Sequence, residues 1–185
     1  MILNKSGTTS IRIRNRTKGL DMAELTNLEE KLAEVTGLAM AAEAAGGKVT
    51  KLTAKQDSDL VATLQKMAKE AVETAQRCEE VAGTFEGKKT AILDEARQVK
   101  KKAAEMMSTY LDKDADALDG FEFLTMAEAA EVGHWSVLQT LNESAGNAKV
   151  RELVSWALPI QQRHFEDVLQ GSRKLAGEED PNETS

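Results

Sequence analysis

The sequence predicts an all-α fold, an antiparallel four-helix bundle with an extra helix as crossover, on three observations. Hydrophobic residues make up 41% of the 185 but aromatic residues only 4%, so the core must be aliphatic and alanine-rich, whereas a β-sandwich needs β-branched and aromatic strands. Only two prolines occur, Pro159 and Pro181, so no residue in the first 158 forbids a helix on that ground. Apolar residues recur at alternating intervals of three and four, the period of a bundle seam. The length is that of one ordinary domain with room for a core.

The chain divides into a basic arm (1–20), a helical bundle (21–176) and an acidic, disordered tail (177–185). The arm carries Lys5, Arg12, Arg14, Arg16 and Lys18 with no acid and shows no helical period; it reads as a short strand or a disordered arm. The first helix is expected to start near Asp21 as N-cap, with Glu24 three residues on. It carries Leu25, Leu28, Leu32, Val35 and Ala39 and is expected to end at Gly46-Gly47, leaving 47–56 as a polar connection. The second runs from about Asp57 to Ala82 with Leu64, Met67, Ala71, Ala75 and Cys78 on its seam. After Gly83 and Gly87 a third follows, with Ile92, Ala96, Val99, Ala103, Met106 and Tyr110 on one stripe. The Asp-rich stretch 112–119 precedes a fourth helix over about 120–143. Ser144-Ala145-Gly146-Asn147 makes a tight turn, and a fifth helix covers about 148–176. With the third helix as a return connection, helices two and four become parallel neighbours, and helices four and five form an antiparallel hairpin.

Charge and motif content narrow the function. The net charge of −7 conceals a +5 arm on a −12 body, so nucleic-acid contact is not expected except through the arm. The single cysteine, Cys78, excludes an internal disulfide and fits a reducing compartment. No secretory h-region follows the start and no stretch approaches the ~20 apolar residues that span a bilayer, so a soluble, cytoplasmic protein without membrane contact is expected. No Gly-rich phosphate loop, Cys-x-x-Cys pair or nucleophile elbow occurs, which leaves hydrolase, kinase and dinucleotide-binding functions without support.

The informative residues are polar ones on apolar seams. On the fourth helix Glu128 and Glu131 interrupt the stripe of Phe121, Leu124, Trp135 and Leu138. On the fifth, Gln161 and His164 interrupt Val150, Val154, Ala157, Val168 and Leu175. Counting outward from the turn sets Glu128 level with Gln161 to within about one rise of ~1.5 Å, and His164 one turn beyond. All four side chains are then expected in one interior pocket. His134, beside Trp135, falls level with Trp156 and ~12 Å along the axis from His164; it is a separate candidate. Trp135 and Trp156 are expected to stack. Pro159, two residues before Gln161, frees a backbone carbonyl and should kink the fifth helix beside the pocket. Buried carboxylates need a cation, a proton or hydrogen bonds, and a carboxylate–imidazole set in a bundle suits Fe, Mn or Zn.

Met126-Ala-Glu128-Ala-Ala-Glu131-Val-Gly-His134-Trp135, followed by Leu158-Pro-Ile-Gln161-Gln-Arg-His164-Phe165, resembles the second helical hairpin of the ferritin-like superfamily, of the rubrerythrin and bacterioferritin type. There a helix carries a Glu, and the next carries Glu-x-x-His some thirty-odd residues later. Glu128 matches the first position and His164 the last, while Gln161 stands where the family has a bridging Glu. The likeness covers about 50 of the 185 residues. It implies an Fe or Mn site, with Fe(II) oxidation or peroxide handling in oxidative stress, and a homo-oligomer. The first hairpin offers no matching half: Glu43 misses Gln76 and Glu79 by ~25 Å along the axis. Glu30, Glu34, Glu70 and Glu73 read as ordinary flank charges. The alternative is a non-catalytic helical interaction or scaffolding protein that self-associates through its alanine-rich faces.

Overall fold

A computed structural model describes residues 24–55 and 57–183; the basic arm and Asp21 lie outside the described residues. Five helices account for the fold: α1 (Asn27–Thr53), α2 (Ser58–Ala82), α3 (Lys89–Tyr110), α4 (Ala117–Ala145) and α5 (Ala148–Ala176). Each start has a local cause. Thr26 and Glu29 form a reciprocal capping box on α1, and Asp116 and Asp119 do the same on α4. Asp57 and Asn147 accept backbone N–H groups at the starts of α2 and α5. Gly146 takes φ 68° to end α4, which leaves a two-residue turn into α5.

α1 therefore begins at the Thr26 cap and does not end at Gly46-Gly47. It runs seven residues further than Gly46 because Val49 and Thr53 are buried there, a tertiary gain that exceeds the ~1 kcal/mol helix penalty of each glycine. The Thr50 and Thr53 hydroxyls donate to the Gly46 and Val49 carbonyls within this last stretch.

Short links make consecutive helices run in alternating directions. α1 packs on α2, α2 on α5, α5 on α4 and α4 on α1, a closed ring of four. Paired residues show every neighbour in that ring to be antiparallel: Gly46 lies against Ala68, Glu70 meets His164, Phe121 meets Gly171, and Glu34 meets His134. α2 and α4 are parallel but diagonal across the ring, with no close backbone approach, so they are not the neighbours expected from the sequence. α3 lies outside the ring and runs parallel to α1. Lys88 reaches the Glu24 carbonyl, Val99 meets Gly37, and Lys48 reaches the Leu111 carbonyl.

The core has two apolar clusters. One gathers Leu32, Val35, Cys78, Ile92, Trp135 and Val154. The other gathers Val49, Leu64, Met67, Phe121, Leu124 and Val168 toward the opposite end. Each large side chain contributes about 1.5–3 kcal/mol by burial. Among the described residues no helix is long and apolar enough to cross a membrane. Residues 177–183 leave α5 in exposed turns, Glu178 N–H donating to Leu175 and Glu183 N–H to Asp180.

The closest approach of α3 to α1 is at Gly37, where an added Cβ would run into the Ala96 carbonyl oxygen and lie 2.7 Å from Val99 Cβ. Gly37→Ala should cost about 1–3 kcal/mol through overpacking against backbone. Thermal unfolding should then show a melting temperature lower by about 2–4 °C for each kcal/mol lost. An unchanged melting temperature would contradict this contact.

Candidate metal centre

Between the two apolar clusters, at mid-height, the ring turns polar. Glu128 and Glu131 on α4 are each 4% exposed, and Gln161 and His164 on α5 are each 2% exposed, so all four seam candidates face the interior. The three-residue spacing within each pair puts its members one turn apart on one face. His164 Nδ1 stands 3.7 Å from Glu128 Oε2. Glu128 is thus level with His164 and not with Gln161, about one turn from the expected register. The cause lies in the hairpin: α4 continues to Ala145, which moves the centre of the turn, and every level counted from it moves with that centre. α5 is helical straight through Pro159, which lacks the N–H that would bond Ser155.

A fifth residue joins from α2. Glu70 Oε2 accepts from His164 Nε2 at 2.8 Å and from Arg163 Nη2 at 2.6 Å. Partial burial would raise its pKa, but the hydrogen bonds from His164 and Arg163 outweigh that and hold it below the ordinary carboxylate value. Burial lowers the His164 pKa, against the opposing pull of Glu70. The imidazole is then neutral, with its proton on Nε2 toward Glu70 and a lone pair on Nδ1 toward Glu128. Sequence reasoning missed Glu70 because it sits beside, not on, the seam of Met67 and Ala71. Pairing α2 with α5 as neighbours would have brought it level with His164.

The two acids are held differently. Burial pushes the Glu131 carboxyl up to about 8. Burial, then the proximity of Glu131, raises Glu128 well above the usual range. Glu128 Oε2, Glu131 Oε2 and Gln161 Oε1 are buried with no hydrogen-bond partner, as is the Trp135 Nε1–H one turn from Glu131. Three acceptor oxygens and one imidazole lone pair thus share a layer without hydrogen-bond partners, the unpaired donors near them being the Trp135 N–H and the protons that burial keeps on the two acids. Such orphaned acceptors are destabilising by ~1–3 kcal/mol each.

His134 does not join. It is partly exposed on the α1 side of α4, with Nδ1 3.0 Å from Glu34 Oε2 and 3.3 Å from Lys31 Nζ. α1 contributes only small and apolar residues to the layer, so the four-carboxylate, two-histidine set of a dinuclear centre does not form. Among the described residues no group of three or more His, Cys, Asp and Glu side chains is arranged as a metal-ion cage. Cys78 is fully buried, with its thiol pushed up to about 12 by burial, and is inert as a nucleophile. Trp156 does not stack on Trp135; Arg77 lies 4.1 Å over its ring instead. Comparison with protein-family models, curated proteins and solved structures finds no match to this chain.

A buried acid whose pKa rises on folding loses stability as pH climbs, because the unfolded chain releases the proton first. For Glu131 the window runs from its ordinary value of 4.5 to about 8. Without added metal, stability should fall across that window by on the order of 1 kcal/mol per pH unit, Glu128 acting in the same direction. Glu131→Gln should flatten the profile in denaturant titrations at a series of pH values. A wild-type profile that is already flat would show that the acids are solvated.

Proposed function

We propose that the chain is a ferritin-like helical bundle that takes one divalent cation, iron or manganese, at Glu128, Glu131, Gln161 and His164, with Glu70 as the positioning residue behind the histidine. The carrying observation is the ligand set: three buried oxygens with no hydrogen-bond partner, beside an imidazole whose far nitrogen is already held by a carboxylate. Oxygen and imidazole donors suit Fe, Mn and Zn, and a carboxylate on the second nitrogen is the usual support of a ligating histidine. One cation and not two is proposed, because no acid of α1 joins the set.

Each residue has a stated task. Glu70 accepts the Nε2–H and fixes the tautomer, which keeps the Nδ1 lone pair toward Glu128. Glu128 and Glu131 hold protons in the absence of a cation and release them to a cation, so binding strengthens as pH rises. Glu131 and Gln161 must swing toward the Glu128–His164 pair to complete the set. The apolar clusters above and below exclude water. Bound iron or manganese would supply the one-electron chemistry toward oxygen or peroxide that the resemblance implies, as ferroxidase or peroxide-handling activity.

A non-catalytic interaction protein is the second reading, favoured by the exposure of Met106, Tyr110 and Val137, which also supports a homo-oligomer. Chelator-treated protein, reloaded with Fe(II) under anaerobic conditions or with Mn(II), separates the two by elemental analysis and melting temperature. One metal per chain with a raised melting temperature is expected. Glu128→Leu should abolish loading and leave the metal-free protein as stable or more so. Glu70→Leu should weaken affinity about 10–100-fold. No stoichiometric metal and an unchanged melting temperature would leave the interaction reading.

A further inference from the structure

The outer face of α4 carries no charge between Glu122 and Glu143. Its outward positions there are Met126, Ala130, Gly133, Val137 and Thr140, at intervals of four, three, four and three along one line of the helix, with Ala129 beside them. The two acids within the span, Glu128 and Glu131, are buried, and His134 turns to Glu34 at one edge. The outer faces of the other helices are set with charges, Glu43 on α1, Glu73 on α2, Lys101 on α3 and Glu166 on α5 among them. In a chain with 30% charged residues, a ~21 Å face with none stands apart. Of the four large apolar side chains that are exposed among the described residues, Met126 and Val137 lie on this face. Tyr110 borders it, its ring centre 6.0 Å from that of Phe123, one turn before Met126.

Gly133 adds an observation that contacts within one chain do not account for. Glycine disfavours a helix interior relative to alanine. Gly37, Gly120 and Gly171 are each required by a neighbour, because an added Cβ would run into the Ala96 carbonyl oxygen, the Val49 side chain and the Phe121 ring respectively. At Gly133 an added Cβ meets nothing within 4 Å, and the backbone is ordinary helix. Gly47 is as open, but it stands one turn from both Glu43 and Lys51, on a charged face. Gly133 leaves bare backbone at the centre of an uncharged apolar face, where a second backbone can come closest.

We infer that this face binds a second copy of the chain, α4 packing antiparallel on its copy about a two-fold axis midway between Ala130 and Gly133. The pattern matches itself. Reversing α4 about that point exchanges Met126 with Val137 and Ala130 with Gly133, so the larger residues stay outside and the small ones within. Crossed helices are closest at the crossing point and diverge to either side, which places small residues at the centre and larger ones at the ends. A two-fold contact needs one patch that fits itself in this way. The face offers no charge with which to select an acidic or basic partner. It is ~21 Å long and ~20 Å wide with the edges of the flanking helices, so two copies cover on the order of 900 Å², less than the ~1,200–2,000 Å² of stable complexes. That size suits a weak, reversible dimer. The inference assigns a face to the homo-oligomer of the second reading and rests on that reading; it requires no metal.

Sedimentation velocity of the full chain from about 5 to 500 μM is the test. A monomer–dimer equilibrium with a Kd of roughly 10–100 μM is expected, the same with chelator as with Mn(II). Val137→Glu puts a charge on the face and should weaken association at least about tenfold, with circular dichroism and Mn(II) loading unchanged. Gly133→Ala should also weaken it about tenfold, yet raise the melting temperature of dilute protein by about 2–4 °C, because alanine is the better helix former. Oxidation of mixed Ala130→Cys and Gly133→Cys chains should link the two kinds to each other in preference to like with like, as antiparallel pairing requires. A monomer at every concentration would overturn both this inference and the homo-oligomer. A dimer that Val137→Glu and Gly133→Ala leave intact, or a preference for like-with-like disulfides, would overturn this face and its register alone.

Discussion

A layer of buried polar side chains crosses the bundle between its two apolar clusters, and the arrangement of the helices turns on how that layer is satisfied. Glu128 and Glu131 on α4 face Gln161 and His164 on α5, where leucines would have joined the clusters into one continuous core. Isolated ionised carboxylates at such depth are destabilising by several kcal/mol each, so they stay protonated or find a cation. His164 is the one member with a full partner, and that partner comes from a third helix. The Glu70 carboxylate, itself held by Arg163, ties α2 to α5 at the height where the apolar contacts stop.

The surrounding scaffold borders this layer. Close approach at Gly37 holds α3 against α1, and the small side chains beyond it leave a groove lined by α1, α3 and α4. Glu128 and Glu131 are among the residues that line this groove. Their unpartnered oxygens, that of Gln161 and the His164 lone pair lie between the two apolar clusters, in a dry environment where polar groups interact most strongly.

Much of this was legible in the sequence because it depended on short-range pattern. The all-α class, the extents of α2 and α5, a tight turn between α4 and α5 and the interior placement of Glu128, Glu131, Gln161 and His164 all follow from three-four spacing and cap residues. What depended on long-range packing was not legible. Gly46-Gly47 reads as a helix end, yet burial of Val49 and Thr53 carries α1 onward. The level of Glu128 depended on where α4 stopped, and two further residues of helix displaced it by about a turn. Glu70 reads as a flank charge until α5 is known to lie beside α2. Trp156 has the height of a stacking partner for Trp135 but faces α2, where Arg77 covers it. Met106 and Tyr110 keep the period of a buried stripe but lie on the outer side of α3, where Met107 and the following Leu111 turn to the core instead.

The central claim is that the unpaired acceptors of the mid-height layer are cation ligands and not merely buried acids. Crystals grown with Mn(II) and measured at the manganese absorption edge test it most directly. An anomalous difference peak within coordination distance of Glu128 and His164 Nδ1, with Glu131 or Gln161 turned toward it, is the predicted result. An empty layer, with manganese found only on the exposed acids around Asp112–Asp119, would contradict it.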